Sequence, residues 1–528
     1  MKKLLPLLVM TLTFQLGLNA QVEKKPNILF IAVDDLKPEL GCYGNKLIKT
    51  PNIDRLAKMG TVFLSNYCQQ AVCGPTRASL MTGTRPDVTK IWDLKTQMRA
   101  ANPNTLTLPQ YLISQGYATA AVGKIYHAAC ADKKGDEPSW SVPYLKARDV
   151  DYANGLGEPA MKHYQSAKTK AVLAKQTNGT PSADNEATET PSGRGPSSEC
   201  IDVPDNAYED GVNALIAKDQ LIKFKAVGSA FFMAVGFHKP HLPFVSPKKY
   251  WDLYNREDMP LAKFQQHSKN GPEIAYHNSN ELRNYSDIPE FASFSDGDNH
   301  IGIKPAKQKE LIHGYYAAIS YMDAQVGILL NTLDSLGILN NTIIVLWGDH
   351  GWHLGDHDLW NKHTNFENAT RSPLIISSPG YTPGETKAMT EHVDIFPTIC
   401  SLSGVPVPTE LAGKSLVPLM KDKKASVKEM SVSQYPRKLK KDEMVKMGYT
   451  DNKIMGYTLR TSRYRYVIWM SNFTSKQPFD EKKVYASELY DYTKDSLETI
   501  NVVNESEYST IAKELKQKMI TFFNSQIK

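Results

Sequence analysis

Cysteine is scarce in this sequence, and it does not occur in closely spaced pairs. The 528 residues include six cysteines, at Cys42, Cys68, Cys73, Cys130, Cys200 and Cys400. Because Cys-x-x-Cys spacing is absent, neither a zinc module nor a dense disulfide scaffold is indicated. Internal repeats are missing too, which disfavours a structural adhesin. The formal net charge of +6 is small and spread along the chain, whereas nucleic-acid binding calls for a concentrated basic face, so we expect no nucleic-acid partner.

Long apolar segments are missing after the first twenty residues, and we therefore expect no stable membrane insertion. Residues 1–20 carry two lysines, an apolar run from Leu4 to Leu18 and a small-residue end. This pattern is typical of a secretory signal peptide, because the apolar run is too short for a spanning helix. The sequence thus predicts export, to the periplasm or out of the cell, with a mature chain that begins at Gln21.

Four apolar segments are predicted to be buried strands. Each is followed by polar residues that could bind a ligand or take part in catalysis. Residues 27–33 precede Asp34 and Asp35, residues 118–122 precede Lys124 and His127, residues 230–235 precede His238, and residues 342–347 precede Asp349 and His350. Because ligands in open α/β sheets bind beyond the carboxyl ends of the strands, four such endings indicate one shared site. Any single ending could be a loop cap. Together they predict an α/β fold with a parallel sheet.

The segments between and after these strands suggest the organisation of the chain. Helical patterns occur at 52–60 and 310–336. Residues 168–198 are rich in small and polar residues, so we expect a surface insertion there.

The mature chain divides into a catalytic domain at 21–437, a lysine-rich linker at 438–454 and a C-terminal subdomain at 455–528. Within that subdomain, three strand patterns are followed by a helical pattern from Glu507. The strand patterns are at 456–460, 464–469 and 488–490. They predict an antiparallel sheet that is closed by a helix.

The residues that follow the first and last of the four strands are Asp34, Asp35, Asp349 and His350. Three carboxylates brought together by separate strand ends would repel one another unless a cation neutralised them. An oxygen-rich site with one imidazole suits Ca²⁺ or Mg²⁺. Aspartates after strands are also common turn residues, but two such groups at two strand ends favour a metal site.

The segment that begins at Cys73 combines a cysteine with the start of a predicted helix. Pro75 fits the first turn, and Gly83 fits the position that ends the helix. The Cys73 side chain would then lie at the positive end of the helix, where anions bind. A lone cysteine is more often a small buried apolar residue than a nucleophile. The surrounding residues favour the nucleophile, because Cys-x-Pro-x-Arg followed by a Thr-Gly pair resembles the signature of type I sulfatases.

In that family the signature cysteine is oxidised to formylglycine (3-oxoalanine) by a formylglycine-generating maturation enzyme, and the resemblance implies the same change at Cys73. Further resembling passages cover nearly all of the mature chain and are most similar to the iduronate-2-sulfatase subfamily. They are residues 40–44, 51–54, 69–73, 122–124, 236–241, 348–352, 360–362, 433–437 and 455–461. The resemblance implies an alkaline-phosphatase-like fold, in which helices sandwich a mixed, mostly parallel sheet and a smaller C-terminal α+β subdomain carries an antiparallel sheet.

The resemblance also implies one Ca²⁺ per chain and a set of site residues, all of which are present. The implied metal ligands are Asp34, Asp35, Cys73, Asp349 and His350, and the implied catalytic residues are Cys73, Arg77, Lys124, His127, His238 and Lys362.

These positions offer what hydrolysis of a sulfate ester needs. The negative oxygens of such an ester repel a nucleophile that approaches the sulfur. Hydrolysis therefore calls for cations, a strong nucleophile and an acid that protonates the departing oxygen. The hydrated aldehyde at position 73 would be the nucleophile, and Arg77 would hold both the hydrate and a sulfate oxygen.

The remaining positions would balance the charge of the sulfate and transfer protons. Lys124 and Lys362 would balance the charge of the sulfate, while His127 would orient or deprotonate the hydrate. His238 would protonate the leaving hydroxyl, since histidine suits acid catalysis near neutral pH. Taken alone, His127 could equally be a structural histidine, and Lys362 a surface lysine.

The resemblance implies that the substrate is a 2-O-sulfated uronate in a sulfated polysaccharide or oligosaccharide. Thr76 departs from the family pattern, which usually has serine or alanine there. His353 and His357, in the loop after the metal ligands, stand where smaller or acidic residues are usual. Because such loops shape the sugar pocket, a sulfated algal polysaccharide such as ulvan or carrageenan is a second candidate.

Two other functional classes compete with this interpretation. A phosphatase or phosphodiesterase of the same fold would place serine or threonine at the nucleophile, so Cys73 argues against it. A glycan-binding relative without catalysis would be expected to lack Cys73, Arg77 or a ligand, and all of these are present.

Overall fold

The computed structural model of this chain describes residues 25–132, 134–150, 152–156, 159–176, 195–290 and 302–527. The predicted signal peptide at 1–20 lies outside these residues, as does the stretch from 177 to 194 of the predicted surface insertion. The described start of that insertion forms a largely exposed helix, and its last residue, Ser198, begins a strand.

The helices and strands alternate through the first two thirds of the chain. The α-helices of the described residues are α1 (Pro51–Ala57), α2 (Cys73–Thr82), α3 (Pro86–Thr89), α4 (Met98–Ala101), α5 (Leu108–Ser114), α6 (Ala167–Gln176), α7 (Glu209–Val227), α8 (Lys248–Trp251), α9 (Asn280–Arg283), α10 (Pro305–Ser335), α11 (Glu367–Thr370), α12 (Ile395–Leu402), α13 (Val417–Lys421), α14 (Lys441–Lys446) and α15 (Ser509–Gln526). The strands are β1 (Asn27–Val33), β2 (Thr61–Tyr67), β3 (Ala118–Gly123), β4 (Ser198–Ile201), β5 (Phe231–Phe237), β6 (Phe244–Pro247), β7 (Thr342–Gly348), β8 (His353–Leu354), β9 (Trp360–Asn361), β10 (Leu374–Ser377), β11 (Gly384–Glu391), β12 (Ser431–Lys438), β13 (Lys453–Arg460), β14 (Tyr464–Ser471) and β15 (Val484–Asp491).

The central sheet has seven strands in the described residues, in the order β11-β2-β10-β7-β1-β5-β3. Its members β7, β1, β5 and β3 are the four predicted apolar segments, and they lie side by side and parallel. β10 runs antiparallel to its neighbours β7 and β2, while the edge strand β11 is parallel to β2. The sheet is therefore mixed and mostly parallel, which confirms the predicted fold class.

Helices cover both faces of this sheet because both faces of its central strands are apolar. Every residue of β1 is buried, and successive side chains of a strand point to opposite faces. Ile31 belongs to a cluster with residues of α7 and α10, whereas Phe30 belongs to a second cluster with residues of α2, α5 and α12. The strands are thus fixed between two helical layers, and their carboxyl ends share one edge.

A smaller antiparallel sheet follows, in the order β12-β13-β14-β15. α15 covers one of its faces, where Met519 and Phe523 pack in one cluster with Tyr457 and Leu489. This confirms the predicted C-terminal antiparallel sheet. Its first strand, β12, begins before position 437, where we placed the end of the catalytic domain, and the segment that we predicted to be a linker contains α14.

β12 also joins the smaller sheet to the segment that leads into α2. Ser433 Oγ donates a hydrogen bond to Cys68 O at 2.6 Å, and Gln434 N donates to Gln69 O at 2.7 Å. Because residues 68 and 69 lie just before Cys73, the smaller sheet reaches the edge of the predicted site.

All six cysteines lie in the described residues, and each has a free thiol. Cys200 is exposed, and Cys42 is half-buried. No helix among the described residues has the length and apolar character needed to cross a membrane.

Candidate active site

The carboxyl ends of β1 and β7 bring their aspartates together. The two strands pair in parallel up to Val33 and Gly348. Beyond these ends, Asp349 N donates to Val33 O at 3.1 Å, and Asp35 N donates to Asp349 Oδ1 at 3.0 Å. Asp35 has a φ of 56°, in the left-handed region that aspartate tolerates better than most residues. With this turn, Asp34 and Asp35 are both completely buried.

Cys73 is the first residue of α2, and its thiol contacts this cluster. Its Sγ lies 3.3 Å from Asp34 Oδ1 and 3.4 Å from His350 Nε2. The helix is buried throughout and ends at Gly83, whose φ of 63° suits glycine. Burial, together with the Asp34 charge, raises the pKa of the Cys73 thiol well above its usual range. The unmodified side chain is therefore a protonated thiol.

Four of the five predicted metal ligands lie close enough to share one ion. Donor atoms of Asp34, Asp35, Cys73 and His350 all lie within 4.8 Å of one another. The fifth, Asp349, has its Oδ1 3.5 Å from His350 Nε2. A buried set that is rich in carboxylate oxygen fits a hard divalent cation such as Ca²⁺.

The protonation states of these groups fit a cation as well. His350 Nδ1 donates to Gly351 O at 2.9 Å, which leaves the Nε2 lone pair directed at the cluster. Burial lowers the pKa of His350 and so keeps its ring neutral. Burial, together with the charges of Asp34 and Glu281, raises the pKa of Asp35 well above its usual range, although Lys362 opposes this rise. Ionising Asp35 in this cluster therefore costs free energy that a bound cation would offset, as expected of a metal site.

Two buried cations contact Asp34. Arg77, one helical turn beyond Cys73, donates from Nε to Asp349 Oδ2 at 2.9 Å, and its Nη2 lies 3.4 Å from Asp34 Oδ1. Lys124, directly after β3, donates from Nζ to Asp34 Oδ2 at 2.6 Å. Burial alone would raise the pKa of the Asp34 carboxyl, but Lys124 and Arg77 help to hold it well below its usual range. Asp34 is therefore ionised.

Lys362 follows β9 and contacts the other aspartate. Its Nζ donates to Asp35 Oδ1 at 3.0 Å and to Glu281 Oε1 at 3.1 Å. The residues on either side, Asn361 and His363, have φ values of 89° and 57°, a strained backbone of the kind found at functional sites. Burial disfavours the charge of Lys362, yet Asp35 and Glu281 raise its pKa well above the usual range. Since the side chain is buried, Lys362 is not a surface lysine.

The two histidines that we expect to handle protons lie after neighbouring strands. His127 is buried in the loop that follows β3, three residues beyond Lys124. His238 directly follows β5 and is partly exposed. Its Nδ1 lies 3.6 Å from Asp210 Oδ1, and its backbone N donates to the same oxygen at 2.9 Å. Asp210 thus holds the backbone of His238 and lies close to its ring.

The structure adds two residues that the sequence did not single out, His241 and Glu281. His241 Nε2 lies 3.3 Å from Glu281 Oε1 and 3.7 Å from Asp35 Oδ2. His241 stands in the same Gly-Phe-His-Lys-Pro-His motif as His238, which was a signal for its position. Glu281 lies in the short helix α9, in a polar stretch whose pattern gave no signal.

The residues that depart from the family pattern have structural roles. Thr76 Oγ1 donates to Asp349 O at 3.0 Å and so supports the turn that carries Asp349. His353 is completely buried. His357 is also buried, and its ring stacks on Phe366 with a centroid distance of 4.3 Å. These two histidines therefore support the loop from within.

Similarity to known proteins extends over the parts of the chain that form both sheets. The family model described as Sulfatase matches residues 26–405, and a model described as N-sulphoglucosamine sulphohydrolase, C-terminal, matches residues 355–525. Iduronate 2-sulfatase of Mus musculus is 33% identical over 540 residues, which cover 93% of this chain and 93% of that protein.

Two solved structures share the fold. A protein in complex with its substrate, D-glucosamine-2-N,6-O-disulfate, is 21% identical with a TM-score of 0.66, over 96% of this chain and 98% of that one. The phosphonate monoester hydrolase of Agrobacterium radiobacter is 20% identical with a TM-score of 0.68, over 95% and 96% of the two chains. At these identities the likeness extends to the fold alone.

Proposed function

Because this chain belongs to the sulfatase family and is thus a sulfuric ester hydrolase, we propose that it removes 2-O-sulfate groups from uronate residues of a sulfated polysaccharide or oligosaccharide. We propose formylglycine at position 73 as its nucleophile. The position of Cys73 carries the proposal, since its Sγ lies 3.3 Å from Asp34 and 3.4 Å from His350 at the start of a buried helix. The sulfatase signature around Cys73 supports the same modification.

The proposed reaction begins with attack on sulfur. An oxygen of the hydrated aldehyde at position 73 bonds to sulfur, and the bond between sulfur and the sugar oxygen breaks. The second hydroxyl of the hydrate then gives up its proton as the carbon–oxygen bond to the sulfate breaks, which releases sulfate and restores the aldehyde. Water hydrates the aldehyde again. Arg77 holds the hydrate and a sulfate oxygen. Lys124 and Lys362 offset the charge of the sulfate as it reacts, and this stabilisation is strong because both ammonium groups are buried.

Two histidines complete the proposed proton transfers. His127 orients or deprotonates the hydrate, and His238 donates a proton to the departing sugar oxygen. Ca²⁺, for which Asp34, Asp35, residue 73, Asp349 and His350 are the proposed ligands, would supply positive charge beside the nucleophile and the sulfate.

The substrate class rests on similarity to one relative. The mouse iduronate 2-sulfatase is 33% identical over 93% of this chain, so the likeness includes both sheets and the loops that join them. The algal alternative has weaker support, because a similar structure in complex with k-i-k-neocarrahexaose is 18% identical with a TM-score of 0.62 over 96% of this chain, so that likeness extends to the fold alone.

We also propose that the chain is exported and that a formylglycine-generating enzyme matures it. The apolar N-terminal segment supports export. Cys73 is 2% exposed in the folded chain, so a maturation enzyme would have to act before folding is complete. This order fits a modification made on the extended chain.

A panel of defined oligosaccharides tests the proposed function. We expect sulfate release from glycosaminoglycan fragments with a terminal or internal 2-O-sulfated uronate, and none from Cys73→Ala protein. Release from ulvan or carrageenan fragments only would overturn the substrate class, and activity in Cys73→Ala would overturn the nucleophile.

A further inference from the structure

Arg437 is a half-buried cation of β12 for which the chemistry described above has no role. Its Nε donates to Ile274 O at 3.1 Å, and its Nη2 donates to His363 O. The guanidinium lies over the ring of Tyr435, 4.5 Å from the ring centroid. Two of these contacts come from other segments and the third from β12 itself, so the guanidinium is held in one orientation.

That orientation places Arg437 beside the active site. His363, whose carbonyl accepts from Arg437, directly follows Lys362. The backbone N of His363 donates to Ala71 O at 3.2 Å, two residues before Cys73. The ring of His363 also lies 5.9 Å from that of Tyr435. Arg437 is therefore joined by short contacts both to the lysine that we place at the sulfate and to the segment that carries the nucleophile.

Arg437 differs from the other arginines of the same sheet in its partners. Arg460, Arg463 and Arg465 each form an ion pair, with Glu367, Asp491 and Glu498 respectively. Among the residues that the structure describes, Arg437 has no such carboxylate partner, and its contacts are carbonyl oxygens and an aromatic ring. Withdrawing a cation from water without an opposite charge is unfavourable. A bound anion would offset that cost.

The histidines around Arg437, His277 and His363, neither neutralise its guanidinium nor add positive charge beside it. Burial, followed by the charge of Arg437, lowers the pKa of His277 to about 3. Burial also lowers the pKa of His363 well below its usual range, with Lys362 acting in the same direction. Both rings are thus neutral near pH 7, which leaves Arg437 and Lys362 as two separate cations flanking His363.

We infer that Arg437 binds the carboxylate of a uronate substrate while its sulfate lies at Lys362. The inference rests on the proposed substrate class and adds a specificity-determining residue to it. A 2-O-sulfated uronate carries its sulfate on C2 and its carboxylate on C5 of one ring, so its recognition needs two cations apart from each other. Nε and one N–H of Nη2 already donate to carbonyl oxygens, which leaves Nη1 and the second N–H of Nη2 to bind the carboxylate. Tyr435 acts as a positioning residue, because its ring supports the guanidinium.

The test compares Arg437→Gln with the unaltered enzyme on two disaccharides, one ending in 2-O-sulfated iduronate and one in its carboxyl-reduced analogue, which keeps the sulfate but lacks the carboxylate. We expect kcat/KM for the acid to fall roughly 10- to 100-fold, as for a lost charge-assisted hydrogen bond, mainly through KM. The loss on the carboxyl-reduced analogue should be much smaller, so selectivity for the acid falls. Arg437→Lys, which keeps the charge, should recover part of the selectivity. Lys438→Gln, at the exposed next residue of β12, is the matched control.

Other outcomes of this test would contradict either the role of Arg437 or the proposed substrate class. Equal losses of Arg437→Gln on both disaccharides, or no loss on the acid, would overturn the role of Arg437 while the proposed substrate stands. An unaltered enzyme that releases sulfate from neither disaccharide, yet cleaves other sugar sulfates, would overturn the substrate class and this inference together. Thermal unfolding of each variant separates lost binding from lost folding.

Discussion

Glu281 Oε1 accepts a hydrogen bond from Lys362 Nζ at 3.1 Å, although the two residues are 81 positions apart. Lys362 also contacts Asp35, so it lies between two carboxylates. A negative charge from Glu281 therefore stands beside the position that we assign to the anionic sulfate. This arrangement limits how tightly sulfate binds and should favour its release.

Substitution Glu281→Gln should strengthen inhibition by inorganic sulfate. The amide oxygen still accepts from Lys362, but the negative charge is gone, so the inhibition constant should fall roughly three- to tenfold. The measurement is inhibition by sulfate of the hydrolysis of an aryl sulfate. Glu257→Gln, which alters a mostly exposed carboxylate paired with Lys309, should leave the constant unchanged. An unchanged or weaker inhibition in Glu281→Gln would contradict this role.

Substitution His238→Ala should affect sugar sulfates more than activated aryl sulfates. A sugar alcohol is a poor leaving group and needs protonation, whereas a phenol with a low pKa leaves without it. We expect kcat to fall about 100-fold or more on the sugar sulfate and less than about tenfold on the aryl sulfate. The comparison is made by steady-state kinetics on both substrates. Equal losses would reject the acid role of His238.

Substitution Cys73→Ala or Cys73→Ser should remove activity and leave the fold intact. Neither side chain is the cysteine that the maturation enzyme oxidises, and the small volume change is tolerated at the start of α2. Activity assays and circular dichroism on the same preparations check both parts. Cys200→Ala, at an exposed cysteine on β4, serves as the control and should keep full activity. Normal turnover by either Cys73 variant would exclude the mechanism.

The stability of the fold should fall as the pH drops below about 6.5, with His392 as one cause. Its ring is buried between Thr76 and Ser372, with N···O distances of 3.1 and 2.9 Å. Burial lowers the pKa of His392 to about 3 from the ordinary value of 6.5. Because the folded-state pKa is depressed, the unfolded chain binds more protons between these two values. The stability that the neutral ring contributes is thus complete above 6.5 and is lost as the pH falls.

Urea unfolding at a series of pH values measures this dependence. The free energy of unfolding should decrease by at most about 1.4 kcal/mol per pH unit for this group. His392→Gln, which does not titrate, should show a shallower slope between pH 6.5 and 4.5. Identical slopes in the two proteins would show that His392 does not contribute.

The central strands could be predicted from the sequence because they are buried on both faces. The run of apolar residues from Ile28 to Val33 has no polar interruption, and its end at Asp34 marks the sheet edge. β11 could not be found in the same way, since Gly384–Glu391 is mostly polar, has neither an apolar run nor a regular alternation, and includes exposed positions. The motif residues around Cys73 and Asp349 were found because they are adjacent to those strands or form a signature.

Residues brought to the site from irregular segments escaped prediction. Glu281 lies in a single helical turn, and its role depends on a contact with Lys362 that no local pattern encodes. We ended the catalytic domain at position 437 because a polar, lysine-rich stretch follows it, although the hydrogen bonds of β12 place that strand in the smaller sheet with β13. Arg437 could be recognised as a candidate binding residue only from the structure, which places it beside His363. Such long-range pairings follow from the packing of the whole chain.

Mass spectrometry of the peptide that contains residue 73, taken from purified and active enzyme, tests the central claim most directly. The account predicts that the active fraction carries the mass of formylglycine or its hydrate at position 73, and that activity rises in proportion to that fraction. Fully active protein with an unmodified Cys73 thiol would contradict it.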